Sequence, residues 1–89
     1  MTTFLKDPDA VLDYSVDWLK WLAGDQIEAS AWSVSDPALK PADDTNTITR
    51  ATVWLAGGVA GQSYTVPNRI TTSGGRTDER SLVIQVQDR

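Results

Sequence analysis

The stretch SYTVPNRITTSGGRTDERSLVIQVQ, residues 63–87, decides the fold. Apolar side chains alternate with polar ones on both sides of a glycine-containing turn. They are Tyr64, Val66 and Ile70 before the turn, and Leu82, Ile84 and Val86 after it. Because successive side chains of a strand point to opposite faces, the alternation predicts two half-buried strands joined as a hairpin through Ser73-Gly74-Gly75. Pro67 lies inside the first run and predicts a bulge or a sheet edge, since proline has no N–H for the strand ladder.

The same period of two continues upstream of this hairpin. Residues 12–18 alternate between apolar and polar side chains and predict a strand. Residues 19–23 break the alternation and predict a single helical turn closed by Gly24. A further strand over residues 27–34 is expected to turn Trp32 toward the core, because burying an indole removes more apolar area from water than burying two methyl groups.

The middle of the chain predicts a loop followed by a strand. Residues 35–46 contain two Pro and three Asp and show no apolar periodicity, so we expect a loop. Residues 47–49 and 51–55 contain the β-branched side chains that favour a pleated backbone, and we expect them to form a strand. Val53 and Trp54 lie on opposite faces of that strand, and the pattern leaves open which of them enters the core.

Six or seven short strands at this spacing predict an all-β fold, an antiparallel β-sandwich. Tyr64 favours an immunoglobulin-like version, because it opens a strand after the glycine-rich corner at residues 57–61, where a tyrosine corner bonds upstream backbone. Pro8 disfavours helix at the residue before it, so residues 1–10 are predicted to be an extended N-terminal arm. Residues 11–89 are predicted to be a single β-sandwich domain.

Composition excludes several kinds of chemistry. The 89 residues include neither Cys nor His, which removes disulfides, Cys/His zinc sites, thiol nucleophiles and His-based catalytic triads. We therefore expect no enzyme and no cofactor. No stretch is long and apolar enough to predict a signal segment or a membrane span.

The charges are divided unevenly along the chain. Residues 1–49 carry nine acidic and three basic side chains, a net charge of −6, whereas residues 50–89 carry five Arg and three acids, a net charge of +2. The overall charge of −4 argues against a general nucleic-acid binder, which needs a cationic surface. The division predicts an acidic face and an Arg face that contact neighbouring molecules.

Two groups of side chains with carboxylate or amide oxygens offer ligands for a metal ion. They are Asp7, Asp9 and Asp13 near the start, and Asp43, Asp44 and Asn46 in the predicted loop. Neither matches the spacing of a Ca²⁺-binding loop, so solvated acids are the favoured interpretation and no metal site is predicted. The four Trp and two Tyr leave open a sugar-stacking face.

Three segments together resemble a known family. They are KDPDAVLDYSVDW at residues 6–18, ATVWLAGG at 51–58 and SYTVPNRITTSGGRTDERSLVIQV at 63–86. With them, residues 6–87 resemble the phage fiber-tail adaptor proteins, which are short all-β virion proteins. The resemblance implies a structural role without catalytic residues, in which copies arranged around the tail join the fibres to the tail core. It also implies location in the virion tail after assembly in the host cytoplasm.

Charge and resemblance together predict the partner contacts. The partners would be other tail proteins, namely the tail core or adaptor and the tail fibre, and further copies of the chain, with no nucleic acid and no membrane. The predicted interface residues are Arg69, Arg76, Asp78 and Arg80 around the hairpin turn, and Asp7, Asp9 and Asp13 near the start. Two alternatives stay open: a capsid or tail decoration domain, and a small carbohydrate-binding module that aids adhesion to the host.

Overall fold

The computed structural model describes residues 2–88 and contains seven strands and one helical turn. The elements are β1 (Thr2–Lys6), β2 (Val11–Asp17), α1 (Leu19–Leu22), β3 (Ile27–Trp32), β4 (Leu39–Asn46), β5 (Arg50–Gly57), β6 (Ser63–Thr72) and β7 (Thr77–Val86). The alternation at residues 12–18, the helical turn before Gly24 and the final hairpin were therefore correctly predicted.

The strands form two sheets that pack face to face. One sheet has four strands in the order β1-β7-β6-β3, and the other has three in the order β2-β5-β4. All neighbouring pairs are antiparallel except β1 and β7, which are parallel. The predicted all-β sandwich is confirmed, with one parallel pair added by the N-terminal strand.

Apolar side chains from the facing surfaces of both sheets fill the core. The largest is Trp18, which is fully buried just before α1. In β5, Val53 is fully buried while Trp54 is 40% exposed, so Val53 is the core residue of the pair that the sequence left open. The remaining buried apolar residues are Tyr14, Val16, Leu22, Ile27, Leu39, Ala51, Leu55, Tyr64, Val66, Ile70, Leu82, Ile84 and Val86. Trp32 packs against this core from β3 and is only partly buried.

The loop predicted at residues 35–46 is confirmed for residues 35–38 and wrong for residues 39–46, and the strand predicted at 47–49 is also wrong. Residues 39–46 form strand β4, and Thr47–Thr49 is the tight connection to β5, in which the Thr47 hydroxyl accepts from the N–H groups of Thr49 and Arg50. The reason is position: β4 is the edge of its sheet and buries only Leu39. An edge strand with one buried side chain needs no apolar alternation and tolerates Pro and Asp.

The bulge or sheet edge predicted from Pro67 is also wrong. β6 is an interior strand, and its pairing with β7 runs through Pro67 and Ser81 without a shift of register. Pro67 is accommodated because its carbonyl, which accepts from the Ser33 N–H at 3.2 Å, faces β3 where that strand has just ended. The missing N–H of Pro67 therefore falls beside a strand terminus rather than inside a ladder.

The first ten residues combine strand β1 with a short link. β1 pairs with β7 from Thr2 to Lys6, and the Lys6 side chain is fully buried at the end of the pair. Its Nζ donates to the carbonyl oxygens of Asp7 at 2.9 Å and Gly57 at 2.7 Å. Burial lowers the pKa of Lys6, opposed by the charges of Asp7 and Asp9. These bonds tie the β1–β2 link to the glycine corner after β5.

Tyr64 forms the tyrosine corner that its position predicted. Its hydroxyl accepts from the backbone N–H of Val59 at 2.9 Å, five residues upstream. Gly57, Gly58 and Gly61 all have positive φ in the same corner, as expected for a glycine-rich turn. The corner therefore fixes how the chain leaves the three-stranded sheet and enters β6.

The hairpin turn between β6 and β7 contains the positive φ that its sequence requires, at Gly75, where φ is +85°. Replacing Gly75 with Val is expected to lower the free energy of unfolding by about 1 kcal/mol or more, because a β-branched side chain is strained at positive φ. Chemical denaturation would measure the loss. Full stability of the Val variant would contradict the turn as described.

Candidate functional site

The hairpin turn packs against the helical turn α1 through Arg76. Its Nη2 donates to the backbone carbonyl of Leu22 at 2.7 Å, and its Nε donates to Asp25 Oδ2 at 3.3 Å. The guanidinium carbon lies 4.3 Å from the centre of the Trp21 ring. One face and two N–H donors of the Arg76 guanidinium are therefore occupied by contacts within the chain.

Arg80, four residues further along the chain in β7, makes a similar contact. Its guanidinium carbon lies 4.4 Å from the centre of the Trp18 ring, and Nη1 donates to the backbone carbonyl of Asp17 at 3.3 Å. The two indoles meet edge to face, with their centres 5.3 Å apart. Arg76, Trp21, Trp18 and Arg80 therefore form one continuous column, which we call the Arg–Trp stack. Cation–π contacts of this kind contribute about 0.5–1 kcal/mol each where they are exposed.

Asp25 organises the hairpin turn, a role that was not predicted from the sequence. Its Oδ1 accepts from the Ser73 hydroxyl at 2.9 Å and from the Gly74 N–H at 3.1 Å, across 48 positions of sequence or more. Hydrogen bonds from the Thr72 hydroxyl, and then from the Gln26 N–H, hold the pKa of Asp25 well below its usual range. The only available signal was the Gly24-Asp25 pair, which indicates a turn but not what the carboxylate binds.

The pKa of Asp25 gives the stability of the domain a defined pH dependence. Because folding lowers this pKa, the carboxylate stabilises the fold above the pKa of the unfolded chain, about 3.9. The contribution is lost as the pH falls below that value toward the pKa of the folded state. We therefore expect the stability difference between the protein and Asp25→Asn to be constant above about pH 5 and to shrink below about pH 4.

Urea denaturation of both proteins between pH 3 and pH 7 would measure this difference. The other carboxylates are common to both proteins and cancel in it. A difference that stays constant or grows toward pH 3 would contradict the role given to Asp25.

Arg69 and Asp78, also predicted as interface residues, lie on the same hairpin in different settings. Arg69 Nε lies 3.5 Å from Glu79 Oε1, and the two side chains are 66% and 49% exposed. Asp78 accepts from the Glu79 N–H at 2.8 Å. In the β6–β7 register Arg69 is opposite Glu79 whereas Asn68 is opposite Arg80, so Arg69 and Arg80 project from opposite faces of the hairpin.

The structure places Asp7 and Asp9, two of the predicted interface residues, away from the hairpin turn. Asp7 and Asp9 lie in the β1–β2 link, where the Asp9 N–H donates to Asp7 Oδ1 at 2.9 Å. This link adjoins the end of β7, since Lys6 pairs with Val86, whereas the hairpin turn precedes its start. β7 has ten residues, so about 30 Å of extended chain separates the two places.

The molecule therefore has two distinct ends, 42 Å being its longest dimension. We call the end with α1 and residues 73–76 the hairpin end, and the end with residues 7–10 and 57–62 the corner end. Asp13 belongs to neither, because it lies on the outer face of β2 opposite Trp54. The predicted acidic group is thus divided between the corner end and a sheet face.

The described part of the chain contains neither clustered metal ligands nor a helix long enough to span a membrane. Nowhere in residues 2–88 do three His, Cys, Asp or Glu side chains converge as metal ligands would. The one helix described, α1, has four residues, and a helix of that length cannot cross a bilayer.

Comparison of the sequence with protein families yields a match over residues 6–85 to the family described as Podophage GP4 fiber-tail adaptor protein gp77. The chain belongs to this family. The resemblance inferred from the three sequence segments is thereby confirmed, and the fiber-tail adaptor family implies a component of the virion tail that interacts with other tail proteins. No curated protein matches the sequence.

The fold of this chain is shared with a solved structure described as the solution structure of the PKD domain from KIAA 1837 protein. The TM-score is 0.53 at 15% identity, and the match covers 99% of this chain and 80% of the other. At that identity the likeness concerns the fold alone, and it supports the immunoglobulin-like sandwich that Tyr64 predicted.

Proposed function

We propose that this protein is a non-enzymatic structural component of the phage tail that joins the tail fibres to the tail core. The observation that carries the proposal is the separation of its charged groups on a domain 42 Å long and about 20 Å wide. Arg76 and Arg80 lie against indole rings at the hairpin end, with Asp25 and Asp78 beside them, whereas Asp7 and Asp9 lie at the corner end. Two ends of different chemistry suit a protein that contacts two different neighbours.

At the hairpin end, Arg80 is the better anchor for a partner. Arg76 is bound on its face by Trp21 and through two donors by Asp25 and Leu22. Arg80 is held by Trp18 on its face, and Asp17 is the acceptor found for it among residues 2–88. A guanidinium carries five N–H donors, so most of those of Arg80 are available to a carboxylate.

Stacking also prepares Arg80 for binding. An arginine loses side-chain entropy when a partner fixes it, and contact with Trp18 has already restricted that freedom. Because a guanidinium is weakly hydrated and planar, it enters an interface more readily than an ammonium does. We therefore assign the hairpin-end contact to the face that carries Arg80, with Asp78 beside it, rather than to the face that carries Arg69.

At the corner end, the proposed contact is electrostatic. Asp7 and Asp9 lie in a link that is anchored by buried Lys6, so their carboxylates are presented on a fixed backbone. A basic surface on the second neighbour would complement them.

We propose that further copies of the chain assemble beside it in the host cytoplasm, before or during attachment to the tail.

Phage particles assembled without this protein test the proposal. We expect such particles to have a tail core but no fibres, and we expect purified protein to restore fibre attachment in vitro. Electron microscopy would count the fibres per particle. Particles that keep their fibres and instead lose capsid or tail stability would contradict the proposal and indicate a decoration protein.

A further inference from the structure

One large aromatic side chain stands on the outer face of the three-stranded sheet. Trp54 is 40% exposed, whereas its neighbours Val53 and Leu55 are fully buried on the other face of β5. The Ser15 and Thr52 hydroxyls, two residues away on the same face, share a hydrogen bond of 2.9 Å that joins β2 to β5. Trp54 therefore projects from the sheet and away from the core.

Two carboxylates flank Trp54 on the neighbouring strands. Asp13 of β2 is directly opposite it on one side. On the other side Asp43 of β4 is opposite it, as the first residue after a shift of register between Pro41 and Asp43. Side chains that are directly opposite in an antiparallel pair lie on the same face, with Cβ atoms about 5 Å apart. The outer face thus presents the row Asp13–Trp54–Asp43, an indole between two acids.

A second place in the chain where an indole lies beside a carboxylate binds an arginine. At the hairpin end, the guanidinium of Arg76 lies against the Trp21 ring and donates to the Asp25 carboxylate. An indole beside a carboxylate is thus already occupied by an arginine within this fold. The row on the sheet face has one indole and two carboxylates, so its negative charge is greater than that of the site that holds Arg76.

The basic side chains nearest to the row, Arg50 and Lys40, are not directly opposite Trp54. Arg50 is four residues from Trp54 along β5 and is paired with Asp17 at 3.5 Å. Lys40 lies opposite Ala56, which is two residues after Trp54 in β5 and therefore on the same face. Within residues 2–88, the arginines in contact with an indole ring are Arg76 and Arg80, at Trp21 and Trp18.

We propose that the row Asp13–Trp54–Asp43 is a docking surface for an arginine side chain of another protein. The guanidinium would stack on the Trp54 ring and donate to the two carboxylates. Charge decides between this occupant and a sugar: two carboxylates attract a cation, whereas a neutral sugar gains only hydrogen bonds from them. The surface lies on a sheet face, apart from both ends of the molecule, and the proposal does not depend on which virion protein carries the arginine.

The test is a titration of the ¹⁵N-labelled protein, followed through the indole N–H resonance of Trp54, which a Trp54→Phe variant assigns. The probes are a tetra-arginine peptide, a tetra-citrulline peptide of the same shape without charge, and an N-acetylglucosamine tetramer. We expect a saturable shift with tetra-arginine only. In Asp13→Asn/Asp43→Asn the affinity for tetra-arginine should fall roughly fivefold or more.

Asp44→Asn is the matched control. Asp44 is the next residue of β4 and is opposite Val53, so the change removes one charge from the same strand but on the other face. We expect it to change the affinity by less than about twofold, because screening at 0.15 M salt weakens charges that do not touch the peptide.

Four results would overturn the proposal. They are an equal shift with tetra-citrulline, an equal loss of affinity in Asp44→Asn, a shift with the sugar but not with tetra-arginine, and a shift that depends on protein concentration alone. The third would make the face a glycan surface, and the fourth would make it a contact between copies. Because the titration uses the isolated domain, its outcome is independent of whether particles without the protein keep their fibres.

Discussion

Replacing Asn68 with Ala is expected to lower the free energy of unfolding by about 2–3 kcal/mol, because the change leaves buried donors and acceptors without partners. Asn68 is fully buried in β6. Its Oδ1 accepts from the Trp18 indole N–H at 3.0 Å, and its Nδ2 donates to the Ser30 hydroxyl at 2.9 Å and to the Ala31 carbonyl at 3.3 Å. One amide thus connects the largest core side chain to the edge strand β3. A loss of this size is a large part of the 5–15 kcal/mol that is typical of a domain.

Chemical denaturation of Asn68→Ala measures the loss, with Asn46→Ala as the matched control. Asn46 is exposed at the end of β4, where its amide donates to the adjacent Thr47 carbonyl, so its removal should cost less than about 0.5 kcal/mol. A Trp18→Phe variant closes a double-mutant cycle, which should show coupling between the two residues. Equal stability of Asn68→Ala and Asn46→Ala would contradict this account of the core.

Replacing Arg80 with Met is expected to weaken attachment of the protein to fibreless particles by at least about thirtyfold, while the domain stays folded. Truncating an arginine that is buried against a partner costs about 2–5 kcal/mol, and each 1.4 kcal/mol is a factor of ten. Methionine retains an apolar contact with the Trp18 ring, so the free energy of unfolding should change by less than about 1 kcal/mol. The concentration that half-saturates the particles measures the effect.

Arg69→Met is the matched control, since it removes the same charge from the neighbouring strand on the opposite face of the hairpin. Its only ion pair among the described residues is the exposed one with Glu79, so little stability should be lost. If Arg69→Met blocked attachment and Arg80→Met did not, the partner would bind the other face. Arg76→Met is unsuitable for this comparison because it removes bonds to Leu22 and Asp25 that hold the turn.

The sequence predicted those parts of the fold in which burial enforces a pattern. Alternation at Tyr64, Val66 and Ile70 identified β6 because each of these side chains must face the same core. β4 was missed because, as an edge strand, it buries only Leu39 and carries no such pattern. The tyrosine corner was predictable because the acceptor and its donor lie only five residues apart.

The candidate site was predicted only as far as local sequence allows. The Arg-rich hairpin could be located from the sequence. Which of Arg76 and Arg80 is bound within the chain could not be predicted, because their indole partners lie in a different part of the chain. The role of Asp25 depends on a contact across about fifty positions, which periodicity does not encode. Asn68 did leave a signal: it occupies a core-facing position of the β6 alternation, where a polar side chain must be hydrogen-bonded.

A cryo-electron microscopy map of the complete virion would show whether the protein joins the tail core to the fibres. We expect density for this 42 Å domain between the tail core and the fibre attachment point, with its long axis joining the two. The hairpin end with Arg80 and the corner end with Asp7 and Asp9 should each contact a different protein. Density for the domain on the capsid shell, or with both ends free of neighbours, would contradict the account.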